Sequence, residues 1–191
     1  GVGIAIRLID DELPAIFDEV EAATSKIHVH EELKPAGTFP DLKHLQGRKG
    51  TNMALDLIGQ ATLLLKMAGQ IEGKGRSEDA LAYFRDGIEF RNALMTELPK
   101  GDFGFTIVRQ FFLSVYSLLQ MEALMRSSNT DLAGIAGKAV KESRYHVRHC
   151  AEWVVTLGDG TEDSHTRTQG AVDDLWRYTG ELFMADDVDR E

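Results

Sequence analysis

From Asn52 onward the apolar residues recur at steps of three and four through long runs, and no stretch alternates with the two-residue period of a strand. The first run, Asn52 to Ile71, carries Ala54, Leu57, Ile58, Ala61, Leu64, Leu65 and Ala68 on one stripe, and Gly73 to Gly75 ends it. Glu78 to Leu98 follows with Leu81, Phe84, Ile88, Met95 and Leu98 in step, closed by Pro99 and Gly101. Phe103 to Arg126 places Ile107, Phe111, Val115, Leu118 and Met125 in register, and Ser127 to Thr130 forms a turn. Asp131 to Leu157 is the longest run, stopped by Gly158-Asp159-Gly160. Thr161 is placed to cap a last helix reaching about Met184, with Glu162 and Asp163 favourably set against its dipole. Long helices joined by short turns pack as antiparallel neighbours, so the sequence predicts an all-α antiparallel bundle.

The first 50 residues read differently. Asp10 to Lys26 can form one amphipathic helix through Leu13, Ile16, Phe17 and Val20, with Pro14 in its first turn. His28 to Gly50 holds Pro35, Pro40 and several glycines with little periodicity, which predicts an irregular arm. The expected division is therefore an N-terminal helix and arm over 1–50 and a bundle over 51–191, the 191 residues sufficing for one substantial core.

A net charge of −10 argues against general nucleic-acid binding, which needs clustered cations to neutralise phosphates. One local exception is Lys141, Arg144 and Arg148, which share a helical face and could meet an acidic partner or a phosphate, or else stand as a solvated, locally paired face. The apolar stretches LLLKMAG and FFLSVYSLL are too short or too interrupted to span a bilayer, and the start reads as no secretory leader. A single cysteine, Cys150, excludes an internal disulfide and suits a reducing cytoplasm.

Within the longest run lies Ser143-x-x-His146. Di-iron helical bundles use Glu-x-x-His, because a three-residue step aims a carboxylate and an imidazole at one metal from one helical face. Here serine occupies the carboxylate position. Ser143 and His146 lie within roughly 50° of the centre of the apolar stripe and should point inward. His146 is then either a leftover metal ligand or a core histidine satisfied by a nearby acid or hydroxyl. Glu142 is turned about 100° away and is expected to pair with Lys138 or Lys141. In the first run the corresponding feature is Asp56-x-x-Gly59, where glycine offers no ligand and Asp56 lies roughly 140° off the stripe, towards solvent or an inter-subunit contact. Glu122 is the one acid inside Phe103 to Arg126, and it would need a cation such as Arg109 or Arg126. Glu162-x-x-His165 has the di-iron spacing but sits at a helix start, where capping explains it. Asp41-x-x-His44 and His28-x-His30 lie in the arm and are unspecific. No nucleophile elbow, P-loop, Rossmann glycine pattern or zinc-type cysteine pair occurs.

The stretches NMALDLIGQATLLL, FRDGIEFRNALMTELPKGDFGFTIVRQFF, KAVKESRYHVRHCAEWVVTLGDGTEDSH and DDLWRYTGELF resemble the PaaC-type subunit of the phenylacetic acid catabolic protein family. The likeness is nearly continuous from Asn52 to about Asp189. It implies a ferritin-like fold in a multicomponent monooxygenase, the phenylacetyl-CoA epoxidase of aerobic phenylacetate degradation. The resemblance further implies that a PaaA-type partner holds the di-iron centre and substrate. The PaaC type would then be a structural subunit with no cofactor of its own, and the departures at Ser143 and Gly59 agree with that. A small PaaB-type subunit and a reductase would complete a hetero-oligomer, and a homodimer is a further expectation. Two other readings stand beside this one: a chain binding iron itself through His146, Glu142, Glu122 and Asp56, and a self-associating bundle with no oxygenase link.

Family members begin with another bundle helix, which is not found before Asn52. Instead GVGIAIRLIDDELPAIFDEVEAATSKIHV and LKHLQGRKG loosely resemble the segment that normally follows the bundle. The expectation is a permuted, rearranged or incomplete order, with a junction near Gly47 to Thr51 and, since no Met opens the chain, an incomplete or processed start.

Overall fold

A computed structural model describes residues 42–184, and among these every regular element is helical. The amphipathic helix expected over Asp10 to Lys26, the His28-x-His30 pair and Asp41 lie outside the described residues. Helix α1 spans Leu42–Glu72, α2 Glu78–Tyr83, α3 Leu94–Glu97, α4 Phe103–Leu124, α5 Thr130–Gly158 and α6 Glu162–Trp176. Single 3₁₀ turns occur at Gly87–Glu89 and Gly180–Phe183. The described residues form an all-α helical bundle, as their periodicity predicts.

Three boundaries differ from the sequence reading. Leu42 to Gly50, expected irregular, is the start of α1, which passes through Gly47 to Thr51 unbroken. Beyond Pro40 no proline interrupts the chain until Pro99, so nothing there removes a helical hydrogen bond. The second difference is Glu78 to Leu98, expected as one helix. Phe84 ends α2, and Asp86 and Glu89 form a reciprocal capping box that opens a new 3₁₀ turn instead of extending the old helix. Of the expected stripe, Leu81 and Met95 are buried, while Phe84 and Ile88 are 83% and 94% exposed. Arg85 holds the broken segment locally, its guanidinium lying 4.1 Å from the Phe90 ring centroid.

The termini of the long helices follow their sequence signals. Asp102 caps α4 by accepting from Phe105 N, Asn129 caps α5 by accepting from Asp131 N and Leu132 N, and Thr161 caps α6 by accepting from Ser164 N. Gly101 precedes α4 at φ +66°, and a Cβ there would lie 2.8 Å from the Phe105 ring, so the turn takes glycine on both counts. The final run ends its α-helix at Trp176, short of the expected Met184, and continues through the 3₁₀ turn.

The main core lies where α4, α5 and α6 meet. Ile107, Val108, Phe111 and Phe112 of α4 pack with Cys150 and Val154 of α5 and with Ala171 and Leu175 of α6, and Met95 of α3 and Met53 of α1 join them. A smaller cluster of Met121, Ala136, Ala139 and Val140 receives Leu64 from α1. Aromatic edges tie these layers together, Phe103 to Trp153 at 5.2 Å and Phe112 to Trp176 at 5.8 Å between centroids.

Helix α1 is rotated relative to its apolar stripe. Its buried residues among those described are Met53, Gln60 and Gly69, whereas Leu55, Leu57, Ile58 and Ile71 are exposed. Ala54, Ala61 and Ala68 of the expected stripe are exposed too, and only Leu64 and Leu65 are half-buried. The expectation that this stripe faces the bundle is corrected by two hydrogen bonds that α1 makes to α5.

Candidate functional site

The polar residues of α1 and α5 meet because Asp56 and Gln60 are one helical turn apart on α1, and Glu142 and His146 are likewise one turn apart on α5. The carboxylate of Asp56 accepts from the ring of His146, with Nε2 3.0 Å from Oδ2. Gln60 Nε2 donates to Glu142 Oε2 at 2.9 Å. Two cross-helix bonds of this kind fix both the rotation and the register of α1. The imidazole side chain is 2% exposed and the Asp56 side chain 33%, so the pair has a dry end and a wet end.

Asp56 was expected towards solvent or a neighbouring subunit, and that placement is overturned. An acid opposite a buried imidazole offsets the cost of leaving a ring nitrogen unpaired, and this outweighs the pull of the apolar stripe. His146 does point inward, as does Ser143 at 1% exposure, both on the stripe with Ala139 and Cys150. His146 is a core histidine satisfied by an acid. Replacing Asp56 by Ala should cost about 1–3 kcal/mol by stranding that nitrogen, while Asp56→Asn, which keeps an acceptor oxygen, should cost less. Denaturant midpoints of the two variants read the difference, and equal midpoints for Ala, Asn and the parent would refute it.

The remaining candidate positions are engaged elsewhere. Glu142 lies 3.9 Å from Lys138, one of its two expected partners, besides holding Gln60. Glu122 accepts from Arg144 Nη2 across α4 and α5 at 2.7 Å, not from Arg109 or Arg126. Arg109 instead donates to the carbonyls of Leu98 and Pro99, at 2.8 and 3.3 Å. Both ends of the Glu122–Arg144 pair are solvent-accessible, so it adds little stability. Lys141 and Arg148 are exposed on the outer face of α5 with Arg144. At Gly59 a Cβ would have nothing within 4 Å, so a side chain there would enter open space.

In the Glu162-x-x-His165 motif the histidine is held by backbone. Glu162 lies in the first turn of α6, and His165 Nδ1 is 2.8 Å from the carbonyl of Gly158 at the end of α5. Ser164 Oγ donates to Leu157 O at 2.7 Å. This turn therefore caps two helices at once, as its position at a helix start predicts.

Among the described residues the donor set fits a two-iron centre poorly. Such a centre needs carboxylates and histidines converging from four helices, and the Asp56–His146 pair that does converge is already bonded to itself. Among the described residues no three His, Cys, Asp or Glu side chains gather into a group that could hold a metal ion. Gln60 is the residue that sequence reasoning missed. Its signal was there, since it stands four residues after Asp56 and Glu142 stands four before His146.

Farther along the stripe, α5 carries a stack of rings. Tyr145 and His149 lie parallel within 7° at 5.8 Å, and Trp153 meets His149 edge-on at 6.5 Å. Cys150, fully buried beside them, has its thiol pushed up to about 12 by burial, against a partial lowering by the Ser114 hydroxyl. A thiol so placed packs and does not attack. Native protein at pH 8 should resist iodoacetamide and label fully in denaturant. The folded thiol binds its proton more tightly than the unfolded one, so its contribution to stability is intact below the ordinary value of 9.0 and is lost as pH rises towards 12. Labelling of the native protein at the rate of a free thiol would contradict the assignment.

This pattern of closed pairs on a helical bundle can be set beside known proteins. The profile of the family described as phenylacetic acid catabolic protein matches residues 24–191. The chain belongs to that family. It is also 44% identical over 138 residues to the C subunit of the 1,2-phenylacetyl-CoA epoxidase of Escherichia coli (strain K12). That match takes in 72% of this chain and 55% of the relative, so the chain spans about half the length of the protein it resembles. Membership agrees with the resemblance carried by the motifs around Asn52, Phe103 and Ser143. Among the described residues no helix is long and apolar enough to cross a membrane.

Proposed function

We propose that this chain acts in phenylacetate degradation as a structural, non-catalytic subunit of a phenylacetyl-CoA epoxidase, pairing with a homologous catalytic subunit that carries the di-iron centre. The observation that carries this reading is the Asp56–His146 contact at 3.0 Å, with Ser143 beside it at the place where a di-iron helix carries a carboxylate. The residues that could have been ligands hold helices together. Family membership and the 44% identity to an epoxidase subunit support the same reading. The chain's role is then to present helical surfaces that seat and orient the catalytic partner in the cytoplasm, with a small PaaB-type subunit and a reductase supplying the rest of the system. Lys141, Arg144 and Arg148 offer that assembly a cationic strip for an acidic neighbour or a phosphate.

Co-expression with a PaaA-type catalytic subunit tests the proposal. The two chains should co-elute in moderate salt, and epoxidation of phenylacetyl-CoA should need the catalytic subunit's iron ligands and tolerate His146→Gln in this chain. Failure to associate, or loss of turnover with His146→Gln while the complex still forms, would overturn it.

A further inference from the structure

No further inference is drawn: the strongest candidate, the outward apolar face of α1 formed by Leu55 and Ile58, carries nothing because nothing in the structure shows what covers it.

Discussion

Ser143→Glu should not create a two-iron site, and it should destabilise the protein. Ser143 is 1% exposed on the face of α5 that also carries His146 and Cys150, so a longer stem ending in a carboxyl has no vacant volume to enter. Overpacking of a core costs about 1–3 kcal/mol, and burying an acid without a partner adds to that. A loss of roughly 3 kcal/mol lowers the midpoint of thermal unfolding by about 6–12 °C in a protein of this size. Ser143→Ala, which removes one hydroxyl and adds no volume, should change stability much less. The iron outcome follows from the neighbours. His146 is bonded to Asp56, Glu142 to Gln60, Glu122 to Arg144, and Gly59 presents no side chain. Restoring one carboxylate leaves those commitments intact. A Ser143→Glu protein as stable as its parent and holding two irons would show that the vestige is one substitution deep.

Met95→Ala should be the most damaging truncation in the segment between α2 and α4, at about 2–5 kcal/mol. Helix α3 has only 4 residues and cannot persist by its own hydrogen bonds. What fixes it is burial: Met95 is 0% exposed within the core formed with Ile107 and Phe111. Polar ties at its ends are auxiliary, the Glu181 carboxylate accepting from Leu94 N and Arg109 donating to Leu98 O. Limited proteolysis of Met95→Ala should cut first between Phe84 and Lys100. Ile88→Ala, at a side chain 94% exposed, should lie within about 0.5 kcal/mol of the parent. Equal losses for the two variants would mean that Met95 is not the anchor.

Legibility of the fold from sequence depended on how much of a helix's circumference is apolar. In α5 charged residues occupy one side, so the stripe through Ala139, Ser143, His146 and Cys150 could be read directly, and all four are buried. The caps Thr161 and Asp102 act through local hydrogen bonds that local sequence encodes. Helix α1 is apolar over most of its surface, with Leu55, Leu57, Ile58, Leu63, Leu64, Leu65 and Met67 spread around it. Counting apolar residues there selects the greasiest face, but the orientation is decided by Asp56 and Gln60 finding partners on another helix. That information is non-local. The break between α2 and α3 was missed for a related reason, since helical spacing of Phe84, Ile88 and Met95 outweighed the Asp86–Glu89 capping box that interrupts it.

For the candidate site, the sequence identified Ser143 and His146 as inward and Gly59 as an absent ligand. It placed Asp56 on the wrong side and gave Glu122 the wrong cation. Both errors arise across helix interfaces, where pairing depends on rotation and register that periodicity does not supply.

The proposed function holds that the polar residues of this bundle serve packing and that a partner subunit holds the redox metal. It is tested most directly by purifying the complex with a PaaA-type subunit, reconstituting it anaerobically with ferrous iron, separating the chains and measuring iron in each. The account predicts below about 0.2 iron per copy of this chain, with the metal retained by the partner. Close to two irons retained on this chain would contradict it.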